Sequence, residues 1–410
     1  MSQQPVSVVM VGTSSYGQYY LNTLLDEFSS DEVEIRAVIS RSPEKSERYP
    51  ELRRRKVKAF PTLSEFYESG LSSDLVVISS PIHYHLPQTL EGLRHGSHVL
   101  CEKPLGATVQ EADAMVKARD SAGRWVMIGY QWSFSKAIQS LKKDIRRGVL
   151  GKPVRVKTLC LWPRDERYYQ RNNWAGRKKD EKGNWILDSP ANNAMAHFLH
   201  NLLYVLGDRV DTSAQPKEVT AELYRAYPVE NFDSVACRVV LKTGTELLFY
   251  ASHTIPEDRG PMFSLEGERG IASFGEFSKE IMMKDFKGNK KHYGSPDDDH
   301  QFKKLFEAVA AAREPRTILC GPEASRSQTL CVNGIQESVP DIVEFPASMV
   351  NHDNEKGGLW VKGLAEAFND CYSRGILPSE AGFSWARCGK TVNLRNYTFF
   401  PGGIPPVHSG

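Results

Sequence analysis

Lys103 stands directly before Pro104 at the end of the run Val99-Leu100-Cys101-Glu102, and a short apolar run of that kind reads as a buried strand. The proline stops the strand and holds the lysine at its exit, which is where an α/β sheet binds its ligand. An ammonium fixed there can polarise an oxygen that gathers negative charge. A candidate base lies further along. Ser189 reads as a cap, Pro190 as first turn and Gly207 as stop, so the spacing predicts a helix over 190–206. In that helix Asn193, His197 and Asn201 recur at i, i+4 and i+8, with His200 and Tyr204 beside them, a polar stripe suited to a cleft or wet interface. An imidazole with an unperturbed pKa near working pH can take a proton, which makes His197 the candidate base. His200 reads as structural. Without Asp or Glu grouped at ligand spacing, neither histidine points to a metal.

The elements that must position these groups begin at the N-terminus. Residues 5–10 read as a strand, residues 11–17 as a turn and residues 18–25 as a helix. Gly12, Ser14, Ser15, Tyr16 and Gly17 would then present amides and a helix N-terminus to a pyrophosphate. Ser14 occupies the place of the middle glycine in Gly-x-Gly-x-x-Gly, and its hydroxyl can itself donate to phosphate. The second strand, residues 33–39, ends in Ser40-Arg41 where an NAD site would offer an acid. A serine and a guanidinium can hold a 2′-phosphate, so NADP is favoured and NAD remains possible; otherwise Arg41 points to solvent. Residues 75–78 form another apolar strand. Its exit carries Ser80, Pro81, His83 and His85, which join Glu102 and Lys103 as candidate cofactor contacts.

After a last strand at 125–130 the pattern changes. A helix over 136–147 leads into longer strand-like runs at 154–162, 219–224, 235–242, 245–252 and 262–274, several joined by hairpin turns. That predicts a mostly antiparallel sheet with helices on one side, closed by helices at 301–313 and 322–338. A helix is expected over 359–374, ahead of a Pro/Gly-rich end. Between the strands, Trp162, Tyr168, Tyr169 and Trp174 offer flat faces that pack on a sugar ring or on loop neighbours. Arg164, Arg167, Arg171 and Arg177 can bind an acidic substituent or face solvent.

Composition sets the frame. The chain has 410 residues, 40% hydrophobic and 25% charged, with a net charge of +2 that predicts no attraction to nucleic acid or membranes. No run approaches a membrane span or a signal segment, and seven cysteines without a Cys-x-x-Cys pair fit reduced thiols, so a cytoplasmic protein is expected.

Together the glycine turn, Ser80-Pro81-Ile82-His83-Tyr84-His85, Cys101-Glu102-Lys103-Pro104-Leu105, Gly129-Tyr130-Gln131-Trp132, and Tyr168-Tyr169 with Trp174-Ala175-Gly176 ahead of His197 resemble the Gfo/Idh/MocA oxidoreductases. The resemblance runs over residues 5–340. It implies an α/β fold: a Rossmann doubly wound parallel sheet over 1–130, an α+β domain with an open, mostly antiparallel sheet over 131–345, and an extension over 346–410. It implies a nicotinamide cofactor at the Lys103 strand, Lys103 and His197 as the catalytic pair, and Tyr130 and Trp132 near substrate with Trp162, Tyr169, Trp174 and Arg177. Asn193 falls where many members have Asp, and an amide orients but accepts no proton. The implied activity is reversible hydride transfer between the nicotinamide and a hydroxyl carbon of a sugar, sugar derivative or polyol. A nicotinamide-dependent glycoside-cleaving enzyme and a non-catalytic cofactor and sugar sensor are the alternatives. The resemblance further implies a homo-oligomer through the C-terminal sheet.

Overall fold

The computed structural model describes residues 4–276, 278–353 and 357–401. Six strands, β1 (Val6–Val11), β2 (Val33–Ile39), β3 (Lys58–Phe60), β4 (Leu75–Ile78), β5 (His98–Cys101) and β6 (Val126–Ile128), form one all-parallel sheet. Their order is β3-β2-β1-β4-β5-β6. β1 and β4 are buried along their whole length, as continuous apolar runs in a parallel sheet covered on both faces must be. The order reverses between β1 and β4, so the C-terminal ends of these strands open the crevice in which such sheets bind ligands. Gly12, Ser79 and Lys103 all sit on that edge.

The second sheet contains β7 (Pro153–Leu161), β8 (Pro216–Arg225), β9 (Ser234–Leu241), β10 (Glu246–Ser252), β11 (Arg259–Gly267), β12 (Gly270–Phe274), β13 (Ile281–Asp285), β14 (Lys290–Gly294) and β15 (Val343–Glu344). It runs β14-β13-β12-β11-β7-β10-β9-β8-β15, antiparallel except for the pairs β10 with β7 and β15 with β8. One face packs on the helices Ala196–Val205 and Pro322–Ser338.

The other face is covered too, which corrects the expectation of helices on one side. In β10 the side chains alternate: Leu247, Phe249 and Ala251 join the main core, while Leu248 and Tyr250 join a separate cluster with Leu159, Leu161, Tyr224 and Ala236. That cluster is closed by Leu364, Phe368, Cys371 and Tyr372 from the helix Leu364–Arg374, and by Leu377 and Trp385 beyond it. The uninterrupted apolar run in β10 follows from this two-sided burial. Over β7 to β10 the outer face is covered by the chain's own C-terminal segment.

The expected helix over 359–374 is shorter. Gly358–Val361 forms β17, a hairpin strand paired with β16 (Val350–Asp353), and Gly363 at φ 77° starts the helix at Leu364. Leu359-Trp360-Val361 is a short continuous apolar run, which periodicity alone cannot assign to helix or strand, and pairing with β16 decides between them. Val392–Asn393 adds a short strand, β18, antiparallel to β8. The Pro/Gly-rich end beyond residue 401 lies outside the described residues. Six cysteines are buried and Cys388 is exposed, all as free thiols. Among the described residues no helix is long and apolar enough to cross a membrane.

Candidate active site

The turn after β1 is set by close approach. Gly12 has φ +85°, and a Cβ there would lie 2.7 Å from the Ser79 carbonyl oxygen; a Cβ on Gly17 would lie 2.2 Å from the Gly12 carbonyl oxygen. Only glycine at both positions lets the turn and the helix Tyr16–Asp26 press against the sheet. Ser15 precedes that helix at φ 51°, and no side chain caps it. The Gly17 and Gln18 N–H groups turn back on the Ser14 and Ser15 carbonyls at 3.0 and 3.1 Å, so the amides open to an anion are those of Ser15 and Tyr16. Ser14, Ser15 and Tyr16 line a cavity of about 730 Å³ that also receives Ser80, Pro81, His85, Glu102 and Lys103 from β4 and β5, and Trp162, Trp174, Asn193 and His197 from the opposite side.

Lys103 and Asn193, ninety positions apart, meet here. The Lys103 Nζ donates to the Asn193 carbonyl oxygen at 2.7 Å and to its Oδ1 at 3.2 Å. Asn193 Nδ2 in turn donates to Asp188 Oδ1 at 2.7 Å, while Asp188 Oδ2 accepts from the Gly176 N–H at 2.7 Å. Burial raises the Asp188 pKa against the pull of Arg171, 3.9 Å away. Burial also brings Lys103 down to about 8. His197 is lowered well below its ordinary value, by burial first and then by the charges of Lys103 and Lys304, and its Nδ1 is buried without a partner. It is thus a neutral imidazole against the edge of Tyr130, with ring centroids 5.8 Å apart.

Under Lys103 lies an ion pair that sequence reasoning did not find. Glu102 accepts from the Lys103 N–H at 3.0 Å and from Tyr20 Oη at 2.6 Å, and forms a short contact with the fully buried Lys304 ammonium. Lys304 also donates to the Gly129 carbonyl oxygen at 3.1 Å. Burial alone would raise the Glu102 pKa; Lys304 outweighs it and keeps the carboxylate ionised. The signal in the sequence is faint: Lys304 shares a helical stripe with Ala308 and Ala311, both buried.

Several expected residues fall elsewhere. The helix predicted from Pro190 begins at Ala196, after a run of turns. Ser189 is not its cap: it accepts from the Asn192 N–H at 3.2 Å within a turn, while Met195 precedes the helix with no side-chain cap, and Asn192 and Asn193 turn their amides to the Ile186 carbonyl and Asp188, which competes with helical pairing. The polar stripe is divided accordingly. His197 faces the cavity, whereas His200, Asn201 and Tyr204 are buried, with His200 Nε2 bonded to Ser133 Oγ at 2.9 Å. Tyr130 is buried against His200, and Trp132 donates to Asp297 in a neighbouring cleft, so neither lines the cavity. Tyr169 bonds His253 and lines a separate cleft with Arg177. His85 lines the cavity but spends both ring nitrogens on the Pro104 and Ser80 carbonyls, at 2.7 and 2.9 Å. His83 lies outside the cavity lining, 3.9 Å from Asp180. Ser40 and exposed Arg41 follow β2 beside the Gly12 turn, also outside the lining. Arg164, Tyr168 and Arg171 do line it, as do Gln131 and Asn172.

Residues 6–130 match the model of the Gfo/Idh/MocA oxidoreductase family, NAD-binding Rossmann fold, and residues 138–273 match the C-terminal domain of the same family. The chain belongs to the Gfo/Idh/MocA oxidoreductases. Among curated relatives it is 27% identical over 143 residues to 2,7-anhydro-N-acetylneuraminate hydratase of Escherichia coli, covering 34% of this chain and 35% of that one. It is 28% identical over 142 residues to the NADP(+) scyllo-inositol 2-dehydrogenase of Bacillus subtilis, covering 35% and 42%. The match thus spans well under half the length of either relative. In overall fold the Gfo/Idh/MocA chain is similar to the WlbA dehydrogenase of Bordetella pertussis, solved with NADH and UDP-GlcNAcA, at a TM-score of 0.69 and 21% identity over 82% of this chain and 97% of that one.

Proposed function

We propose that this protein is an NAD(P)-dependent oxidoreductase acting on a hydroxyl carbon of a sugar, sugar derivative or polyol. The observation that carries the reading is the convergence of Lys103 and His197, from two different sheets' surroundings, on one cavity that also contains the uncapped helix start at Ser15. The close-packed Gly12 turn and the free amides fit a dinucleotide's pyrophosphate, and Ser40 and Arg41 beyond β2 favour a 2′-phosphate, hence NADP over NAD. When bound, the nicotinamide supplies the hydride acceptor or donor.

The chain's own groups manage the proton and the charge. His197, neutral and lining the cavity beside Lys103, takes the hydroxyl proton. Lys103 stabilises the negative charge that grows on the oxygen. Asn193 accepts from Lys103 and donates to Asp188, so a carboxylate stands one hydrogen bond behind the lysine. Trp162 and Trp174 give the sugar ring flat surfaces to pack on.

The test is a panel of sugars, sugar acids and polyols with each cofactor, followed at the absorbance of the reduced nicotinamide. Reduction in step with substrate loss is the expected result. Product release with no net change at that band moves the protein to the cleaving branch of the family, and binding with no product at all leaves it a sensor.

A further inference from the structure

The wall that faces the glycine turn carries more positive charge than a neutral sugar needs. Arg171 lies over the Tyr168 ring at 3.7 Å and Arg164 lies 5.1 Å from the same ring. Both residues line the cavity that contains Lys103 and His197. Arg171 donates to the Tyr168 carbonyl oxygen and stands 3.9 Å from Asp188, a loose pair with a carboxylate already bonded to Gly176 and Asn193. Arg164 forms no ion pair among the described residues. One nitrogen donates to the Pro163 carbonyl oxygen at 3.0 Å, and its Nε is buried with no partner. Of the nearby carboxylates, Glu102 and Asp188 are committed to Lys304, Tyr20, Gly176 and Asn193, Asp165 accepts from Arg167 and the Tyr168 N–H, and Asp353 stands across the adjoining cleft.

Arg164 and Tyr168 also line a second cleft of about 840 Å³, whose far side is the β16–β17 hairpin with Leu359 and Trp360. A group attached to a sugar held between Lys103 and Trp162 can therefore pass Arg164 on its way out. We infer that Arg164 and Arg171, braced on Tyr168, form an anion subsite for a negatively charged substituent of the sugar, a carboxylate or a phosphate. The inference rests on the oxidoreductase reading for the sugar's place, though not for its oxidation. A planar fork offering several donors suits either anion. Stacking on Tyr168 restricts each guanidinium before the ligand arrives, which lowers the ordering cost of binding.

The experiment is calorimetric binding to the full chain saturated with NADPH, so that no hydroxyl is oxidised during the measurement. The probes are D-glucose, D-glucuronate and D-glucose 6-phosphate. At least one anionic probe should bind ten-fold or more tighter than D-glucose, and which one distinguishes carboxylate from phosphate. Arg164→Met should remove that preference, with NADPH affinity unchanged; Arg171→Met serves as a second variant should the first fail to fold. Equal affinity for the neutral and anionic probes, no binding of either anionic probe, or a preference that survives in both variants would overturn the subsite. Turnover is read separately from absorbance: anion preference without cofactor reduction rejects the oxidoreductase reading alone, and reduction without anion preference rejects the subsite alone.

Discussion

The two walls of the cavity are built in different ways. One wall is the edge of a parallel sheet: Gly12, Ser79 and Lys103 each follow a strand whose register is fixed by ladders on both sides, and Glu102 is anchored by Tyr20 and Lys304 below. The other runs from Trp162 to His197 and is mostly turns, tied by side chains: Asp188 to Gly176 and Asn193, Tyr169 to His253, Asn231 to the Asp188 carbonyl. The first wall takes its shape from the backbone and the second from a few polar groups. Cofactor geometry, which is common to many substrates, therefore rests on the stiffer wall, and substrate choice on the one most open to substitution.

The largest effect should come from the pair that spans both walls. Lys103→Met should lower turnover about 10²- to 10³-fold, as loss of one oxyanion donor does. His197→Ala should lower it about 10²- to 10⁴-fold. Because the two act as a unit, the double variant should be little worse than the poorer single one. A double loss equal to the product of the single losses would show that the walls act independently.

The next effect belongs to the sheet wall alone. Lys304→Met leaves Glu102 buried without its cation, and should cost about 3–5 kcal/mol in denaturant unfolding. A cost below 1 kcal/mol would mean that the wall does not depend on its buttress.

Titration should report on the cavity itself. With Lys103 at about 8, its charge is present below that pH and lost above it. Turnover in the oxidation direction should fall as pH rises through this value, and His197, already neutral, should add no limb near its ordinary pKa. A rate that climbs through pH 8 would make Lys103 the base instead.

The smallest effect lies at the far end of the first wall. Arg41→Ala should weaken NADPH by about 1.5–3 kcal/mol, the range of a hydrogen bond to a charged group, and leave NADH unchanged. Equal affinity for both cofactors in the unmodified protein would remove Arg41 from recognition.

This contrast also explains what could be read from the sequence. The strand-turn-helix at Gly12 and the strand exit at Lys103 are local patterns, and the structure places both on one edge. The His197 helix starts six residues after Pro190, because Pro190 after Ser189 is a sound local signal that loses to Asn192 and Asn193 bonding Ile186 and Asp188. Lys304 was missed because a lysine in a charged helix reads as exposed, and its partner lies 202 positions away. Tyr130 and Trp132 followed motif position, and motif position says nothing of which side of a backbone a ring takes.

The segment over β7 to β10 has a thermodynamic consequence. A sheet face covered by a second molecule is buried only as far as concentration allows, by mass action. Here Phe368, Tyr372 and Trp385 are tethered to the strands they cover, so the burial of Leu159, Leu248 and Tyr250 costs no association entropy and is the same in dilute and concentrated solution.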